Sequence, residues 1–247
     1  WSETVENLPA SFTYYAIEES INGVSLTDLN AADTKMIDPH YAYSASRVEI
    51  TNILPICKIV NGGVEIPFTT LRAAVKYAQD NNLTTATIEM MVDYVMPEDD
   101  TVSIPAGYDI TFTTADKLDS TNYKYVGSGT KATVTRGFTP VNATVINSST
   151  GNQLFTVSGA ETKLRFGDIV IDGDKDNQSG GKGSLVYVNS SGNDVPALFI
   201  ESGATLQNAK STVTGGGAVY IDHGTVSVLS GGAIKDCDAD NGNGGAI

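Results

Sequence analysis

Two acidic loops contain the residue types and spacing that best suit chemistry. They read DGDKDN (172–177) and DCDADNG (236–242), and in each loop three aspartates alternate before an asparagine. Carboxylates at alternate positions of a turn can converge on one hard cation, so the loops predict calcium binding. Neither loop has a glycine directly after its third aspartate or the closing glutamate of a helix-loop-helix calcium site, which leaves a solvated acidic turn as the alternative. The aspartates concerned are Asp172, Asp174, Asp176, Asp236, Asp238 and Asp240.

The elements that would position these loops are short repeated strands with glycine at their corners. The stretches VSIPAGYDI (102–110), LFIESGATL (198–206) and VSVLSGGAI (226–234) share one pattern of apolar residues around a glycine, and LRFGDIVI (164–171) is a shorter copy. A second set, spaced by roughly thirty residues, comprises LFTV (154–157), LVYV (185–188), AVYI (218–221) and GGAI (244–247).

Self-similarity at this period predicts a solenoid, because one repeat cannot bury its own apolar face and neighbouring repeats must stack. We expect residues 86–247 to form a parallel β-helix that continues beyond residue 247, within a mainly all-β chain. Two columns of aliphatic side chains should lie in register along it. The first comprises Val102, Leu164, Leu198 and Val226, and the second comprises Ile110, Ile171, Leu206 and Ile234.

Residues 56–85 predict a hairpin and a helix that connect the N-terminal region to the repeats. The hairpin turns at Asn61-Gly62-Gly63, and the run TTLRAAVKYAQDNN follows with helical spacing of its apolar residues. Thr69 or Thr70 provides the N-cap, and Asn81-Asn82 ends the helix. We expect the helix to cover the open first coil, whose unpaired strand edges would otherwise recruit other chains. Its apolar face comprises Leu71, Ala74, Val75 and Ala78.

The charge balance of the 247 residues argues against some partners. The chain has 29 acidic and 15 basic residues, a net charge of −14, so it repels phosphate backbones and anionic lipid surfaces. No apolar run approaches the roughly 20 residues that span a bilayer. We therefore expect no nucleic-acid binding and no membrane insertion. The two cysteines, Cys57 and Cys237, should lie several coils apart and remain free thiols.

The first 55 residues carry one carboxylate in an unusual place. Phe12, Tyr14, Ala16 and Glu18 share one face of a predicted strand, because side chains alternate along a strand. Burying a carboxylate among apolar residues is costly unless it has a partner, so Glu18 needs a partner or a chemical role.

The same region resembles a known stalk domain. The runs NLP…FTYYAIEE and VEITN resemble the C-terminal half of a Cna-B domain, the small β-sandwich of Gram-positive adhesins and pili, which implies that residues 1–55 form a partial β-sandwich. In many such domains a lysine forms an amide with an asparagine, assisted by a buried glutamate. Glu18 matches the assisting glutamate and Asn52 the bonded asparagine, while the lysine would lie upstream of Trp1. Alternatively, Glu19 takes the assisting role, or Glu18 is an ordinary strand residue and Asn52 a turn residue.

The repeats resemble a second group of surface proteins. The runs TVSIPAGYDITFTT, LRFGDIVIDG and GGAVYIDHGTVSVLSGGAIKDC are similar to the glycine-rich, pectate-lyase-like right-handed β-helices of adhesins from gut-dwelling Gram-positive bacteria. Both resemblances together imply an extracellular, cell-wall-anchored adhesin or surface fibre. Its partners would be host or microbial glycans or proteins, or neighbouring subunits of a fibre. The loop 114–131, the longest insertion between repeats, is the best candidate for a contact surface.

Two other functions stay open. A β-helical polysaccharide lyase or hydrolase would gather acidic and basic residues on one face of three adjacent coils. The basic residues of the repeats share no column, and His223 in DHG has the surroundings of a turn residue, so the sequence favours binding over catalysis. A purely structural filament or spacer subunit would instead multimerise end to end.

Overall fold

The computed structural model shows a mainly β protein in which most strand pairs are parallel. Before residue 54, only the backbone of the strands is described. From there the structure describes residues 55–115, 131–139, 153–177, 183–189, 196–211, 216–240 and 244–247.

The N-terminal strands form antiparallel pairs. Their bounds are β1 (Ser2–Glu6), β2 (Ser20–Ile21), β3 (Val24–Ser25), β4 (Asp38–Ser44) and β5 (Arg47–Ile53). β5 lies between β1 and β4, whereas β2 and β3 pair with each other. Asn52 lies in β5, where it pairs with Pro39 of β4. The backbone of Asn52 therefore belongs to a strand and not to a turn. Glu18, Glu19 and the run from Phe12 to Ala16 lie outside the described residues.

The predicted hairpin is confirmed. It consists of β6 (Cys57–Asn61) and β7 (Val64–Phe68), which pair in antiparallel fashion. Gly62 and Gly63 connect them with φ angles of +58° and +80°. A two-residue type I′ turn requires positive φ at both positions, which glycine adopts without steric cost.

The predicted helix, α1 (Leu71–Asp80), is also confirmed. Thr70 is the N-cap, and its side chain accepts a hydrogen bond from the backbone N–H of Ala73 at 3.1 Å. Asn81 is the C-cap. The helix packs against β6 and β7 through its four predicted apolar residues, which are all buried: Leu71, Ala74, Val75 and Ala78.

The remaining strands come from the repeats. In chain order the first are β8 (Thr85–Met90), β9 (Tyr94–Met96), β10 (Val102–Ile104), β11 (Asp109–Thr114), β12 (Thr133–Arg136), β13 (Phe155–Ser158), β14 (Lys163–Phe166) and β15 (Val170–Asp172). They are followed by β16 (Val186–Asn189), β17 (Ala197–Ile200), β18 (Thr205–Gln207), β19 (Lys210–Ser211), β20 (Val219–Ile221), β21 (Thr225–Val228), β22 (Ala233–Lys235) and β23 (Asp238–Ala239). A short 3₁₀ helix, Glu98–Asp100, precedes β10.

Three sheets each take their strands from successive repeats. The seven-stranded sheet has the order β21-β17-β14-β11-β8-β6-β7, the four-stranded sheet β10-β13-β16-β20, and the five-stranded sheet β22-β18-β15-β12-β9. Neighbouring strands from β8 onward are parallel, and so is the short pair of β19 and β23. Their apolar side chains form one continuous core, in which the rings of Phe112, Phe155 and Phe166 pack against one another.

The predicted columns of side chains are confirmed for their later members. Each group lies in register on neighbouring parallel strands, as expected for repeats that pair with their successors. The groups are Leu164, Leu198 and Val226 in the seven-stranded sheet, and Ile171, Leu206 and Ile234 in the five-stranded sheet. A third column, which was not predicted, comprises Phe155, Val186 and Val219 in the four-stranded sheet.

The prediction is wrong for Val102 and Ile110. Val102 pairs with Phe155 in the four-stranded sheet, and Ile110 pairs with Leu164 in the seven-stranded sheet. The glycine-centred turn of residues 102–110 joins those two sheets, whereas the turn of residues 198–206 joins the seven-stranded to the five-stranded sheet. The same local pattern therefore serves two different corners.

Candidate ligand-binding face

The outer face of the seven-stranded sheet displays the side chains that alternate with the buried ones. Along β8, β11, β14 and β17, buried residues alternate with residues that point away from the core. Thr225 and Ser227 on β21 continue the outward rows as partners of Ala197 and Phe199. We define the outer face by the outward residues of these strands. They are Thr85, Thr87, Glu89, Asp109, Thr111, Thr113, Lys163, Arg165, Ala197, Phe199, Thr225 and Ser227.

Arg165 is the centre of a charge cluster on this face. Its Nε and Nη2 donate to the two carboxylate oxygens of Asp109 at 2.7 and 3.2 Å, and its Nη1 donates to Glu201 at 3.0 Å. The guanidinium also lies over the ring of Phe199, 4.2 Å from its centroid. The hydrogen bonds that Arg165 donates to Asp109, followed by the one that it donates to Glu201, raise the pKa of Arg165. The cluster thus joins β11, β14 and the residue directly after β17 through a cation that stays charged.

The cluster is well suited to recognition and poorly suited to proton transfer. A guanidinium held by two carboxylates is a fixed charge and cannot serve as a general base. Phe199 and Ser227 are register partners, so a small side chain lies beside the aromatic ring on the strand next to it. Apolar ring surface beside hydroxyl and carboxylate groups is the mixture that orients a polar ligand.

Sequence reasoning missed this cluster because it found no shared column for the basic residues. The cluster follows from the pairing of two inward residues, Ile110 and Leu164. This pairing makes Thr111 the register partner of Arg165 and makes Asp109 a diagonal neighbour of Arg165. The wrong placement of Ile110 hid that relation.

A cavity of about 370 Å³ opens at the β8 end of the outer face. It lies where the pairing of β6 with β8 ends, at Ile59 and Ile88. Small-molecule sites in proteins have volumes of roughly 300–1,000 Å³, so the cavity can hold a small ligand or one unit of a polymer. Its lining combines apolar groups with hydroxyl, amide and carboxylate groups: Ile59, Val60, Asn61, Leu83, Thr85, Ala86, Thr87 and Glu89.

An ion-pair network borders the cavity. The buried Lys58 donates to Glu65 at 2.6 Å and lies 3.5 Å from Glu89. Lys58 therefore holds the carboxylate of Glu89 at the cavity wall. Asn61, which also lines the cavity, donates through Nδ2 to the hydroxyl of Tyr77 in α1 at 3.3 Å.

The first acidic loop is organised by its own hydrogen bonds. Asp172 accepts from the backbone N–H of Asp174 at 2.8 Å and from Gln207 Nε2 at 2.7 Å. Asp174 has a positive φ of 49° and accepts from Asn177 Nδ2 at 2.8 Å. Asp176 lies near Lys175 and contributes to the raised pKa of that lysine, after a larger effect of Asp238.

The second acidic loop is tied to the first by a lysine. Lys175 Nζ donates to Asp238 at 2.9 Å and to the backbone carbonyl of Asp236 at 2.8 Å. Asp240 pairs with Lys210 at 2.9 Å. These contacts bring the two loops together. In the part of the chain that the structure describes, no three acidic, histidine or cysteine side chains form a metal-binding group, and calcium binding stays a prediction.

The other residues considered from sequence are placed as follows. Residues 116–130 of the loop 114–131 lie outside the described residues. Cys57 is buried, Cys237 is partly exposed, and both are free, as predicted.

Comparisons with other proteins add no family. The chain matches no family model, no curated protein and no solved structure. Among the described helices, none is long and apolar enough to cross a membrane. Function is therefore inferred from the chemistry of the outer face and the acidic loops.

Proposed function

We propose that this chain is a segment of an extracellular adhesin or surface fibre, in which a parallel β-helix displays a ligand-binding face on a Cna-B-type stalk. Residues 86–247 form the β-helix, residues 56–85 its hairpin and capping helix, and residues 1–55 part of the stalk domain. The order of strands in the three sheets supports the β-helix, since each sheet adds one strand per repeat. The antiparallel arrangement of β1, β5 and β4 is compatible with a β-sandwich.

The observation that carries this proposal is the composition of the outer face. Threonine and serine hydroxyls lie on β8 and β11 beside the cavity and again on β21, and the side chains of Arg165 and Phe199 lie between them on β14 and β17. Arg165 is fixed there by hydrogen bonds to Asp109 and Glu201, and Lys163 and Glu89 add further charges to the face. Such a surface offers many weak polar contacts over several strands, which suits an extended glycan or a protein.

The acidic net charge of −14 agrees with an extracellular location, where a soluble and non-adhesive background surface leaves specific contacts to the ligand face. The partners would be host or microbial glycans or proteins. Attachment to the cell wall, or assembly into a fibre, is part of the proposal.

Binding arrays of glycans and extracellular-matrix proteins test the function. We expect the purified chain to be retained by at least one ligand class, and the substitution Ser227→Arg to abolish retention by filling the space beside Phe199. The matched control is Ser103→Arg, which places the same side chain on the outer face of the four-stranded sheet. Equal retention of both variants would place binding elsewhere, and absence of retention on every ligand would contradict the adhesin proposal.

A polysaccharide-degrading enzyme is the second candidate, because Asp109 on β11, Arg165 on β14 and Glu201 directly after β17 form one charge cluster across adjacent repeats. This is the arrangement that would distinguish an enzyme from a binding protein. Release of shortened or unsaturated sugars from acidic or neutral polysaccharides, lost in Asp109→Asn, would favour it. A chain that binds no ligand but assembles end to end would instead be a structural filament subunit.

We further propose an isopeptide bond in the stalk domain and calcium at the acidic loops. In the first, Asn52 forms an amide with a lysine from a strand that covers β5, and Glu18 assists as a neutral acid. In the second, Ca²⁺ would replace Lys175 as the partner of the clustered carboxylates. The position of Asn52 in a strand and the closeness of the two loops support these proposals.

A further inference from the structure

The cavity beside β8 opens where two strands of the seven-stranded sheet separate. β6 pairs with β8 as far as Ile59 and Ile88, whereas β8 continues to Thr85 along β11 on its other side. The next positions of the same register, Val60 and Thr87, lie beyond the paired residues and line the cavity. The cavity is therefore bordered by strand backbone on two sides.

Four polar side chains of the cavity lining are able to bind a ligand. Among the described residues, the hydroxyls of Thr85 and Thr87 take part in no side-chain hydrogen bond. Asn61 uses its NH₂ group for the hydroxyl of Tyr77, so its amide oxygen stays available as an acceptor. The carboxylate of Glu89 only accepts hydrogen bonds. Acceptors thus outnumber donors, and a fitting ligand is rich in donors.

The buried Lys58 limits the charge that a ligand can carry. Lys58 is 3% exposed, donates to Glu65 at 2.6 Å and lies 3.5 Å from Glu89. Two carboxylates around one ammonium leave one negative charge in excess, which repels an anionic ligand. A cationic ligand that approached Glu89 would place a second positive charge beside Lys58. A neutral ligand avoids both costs.

Apolar surface completes the cavity. Ile59, Leu83 and Ala86 contribute to its lining, together with Val60, which is 49% exposed. A pyranose ring has C–H groups on its faces and hydroxyl groups around its edge, so it matches a lining that combines apolar carbon with hydrogen-bond acceptors. The volume of about 370 Å³ is sufficient for one such ring.

We propose that the cavity binds one neutral hexopyranose unit of a glycan, whose hydroxyls donate to Asn61 and Glu89 and exchange hydrogen bonds with Thr85 and Thr87. This inference rests on the proposed function, because it names a neutral glycan as the ligand class of the outer face. The Lys58 ion pairs keep the Glu89 carboxylate in place and exclude acidic sugars.

NMR titration of the natural sequence with methyl glycosides of glucose, galactose and mannose tests the ligand class. Each neutral glycoside is compared with the uronate and with the 2-amino sugar of the same ring. We expect at least one neutral glycoside to bind, its uronate to bind about tenfold or more weakly because of like-charge repulsion, and its amino sugar to bind more weakly as well. Tighter binding of a uronate or an amino sugar, or binding of no glycoside, overturns the proposal.

Conservative variants locate the binding. Thr85→Val and Thr87→Val keep the shape of the side chain and remove one hydroxyl, so each should weaken binding about two- to tenfold. The matched control is Thr111→Val, which changes the register partner of Thr87 outside the cavity lining and should leave binding unchanged. In Glu89→Gln, Lys58 keeps its ion pair with Glu65, and discrimination against the uronate should shrink. Equal losses in Thr87→Val and Thr111→Val would contradict binding in the cavity.

These titrations separate the cavity from the proposed function. If the chain is retained on the ligand arrays but binds no neutral glycoside, the cavity inference fails and the adhesin proposal stands. If the chain is retained by no arrayed ligand, the adhesin proposal fails. Neutral glycosides that bind in that case, and lose affinity in Thr85→Val and Thr87→Val, would still support the cavity site.

Discussion

At the residue scale, one buried carboxylate attaches the helix to the first repeat. Asp100 accepts hydrogen bonds from the backbone N–H groups of Leu71 and Arg72 at 2.8 and 2.9 Å, and from the hydroxyl of Tyr94 at 2.8 Å. The N-terminus of a helix favours a negative charge because its first N–H groups lack partners within the helix. Burial, together with the hydrogen bond to Asp100, raises the pKa of Tyr94. Asp100 therefore links α1, the 3₁₀ helix and β9.

We expect Asp100→Asn to destabilise the chain by about 1–3 kcal/mol. The amide keeps one oxygen but loses the charge, and its NH₂ group faces donors that it cannot satisfy. Urea unfolding followed by circular dichroism measures the loss. The control is Asp99→Asn, an exposed change in the same 3₁₀ helix that should stay within about 0.5 kcal/mol. A loss of equal size in both variants would contradict the role of Asp100.

The isopeptide proposal also belongs to single residues. If Asn52 condenses with a lysine, the covalent product is lighter than the unbonded chains by one ammonia per bond. Intact-mass spectrometry of the protein with its covering strand should show this loss, and Asn52→Ala should remove it. A Glu18→Gln variant that forms the bond as fast as the natural sequence would show that Glu18 has no assisting role.

At the element scale, the columns of aliphatic side chains hold neighbouring repeats together. Leu198 lies between Leu164 and Val226 and is fully buried. Burial of each such side chain contributes roughly 1.5–3 kcal/mol, and the contribution is shared by the repeats on both sides. The outward neighbours along the same strands contribute little to this core.

We expect Leu198→Ala to cost about 2–5 kcal/mol, because it removes buried methyl groups and leaves a cavity between two repeats. Thr225→Ala, an exposed change in β21, should stay within about 0.5 kcal/mol. Chemical denaturation of both variants is the measurement. A small effect of Leu198→Ala would mean that the column does not support the core.

The acidic loops provide a test of calcium. If Ca²⁺ binds, a chelator should lower the melting temperature of protein purified with calcium, and Asp174→Ala should abolish the difference. Without calcium, Lys175 and Lys210 form ion pairs with the carboxylates of Asp238 and Asp240. An unchanged melting temperature on chelation would leave the loops as acidic turns held by lysines.

Local signals predicted the elements well, and long-range register limited the rest. The cap at Thr70, the turn at Gly62-Gly63 and the buried face of α1 depend on neighbours in sequence, so the sequence alone identified them. The wrong placement of Ile110 had a different origin, because its turn pattern recurs at two corners of the repeat. The Arg165 cluster depends on that register and was therefore missed.

At the scale of the whole molecule, ion pairs join repeats that are far apart in sequence. Arg165 and Asp109 are separated by 56 residues, and Lys175 and Asp238 by 63. In a chain with a net charge of −14, these pairs bring basic side chains to places where carboxylates from different repeats come together. Each exposed pair contributes modestly to stability, but together they fix the alignment of outward side chains on which a ligand face depends.

The register of adjacent repeats is the central structural claim, and a pair of engineered cysteines tests it most directly. Ala197 and Thr225 are outward register partners on β17 and β21. Parallel neighbours lie about 4.8 Å apart, within the roughly 4.4–6.8 Å between Cα atoms that a disulfide spans. In the mismatched pair Ala197 and Leu229, the second residue lies four positions further along, at roughly 13 Å. Peptide mapping after mild oxidation distinguishes the new bond from the native Cys57 and Cys237.

Ala197→Cys with Thr225→Cys should form an intramolecular disulfide and keep the native circular dichroism, whereas Ala197→Cys with Leu229→Cys should not. Failure of the first pair to form the bond in folded protein, or equally ready formation in the mismatched pair, would contradict the stacked-repeat architecture and the ligand face built on it.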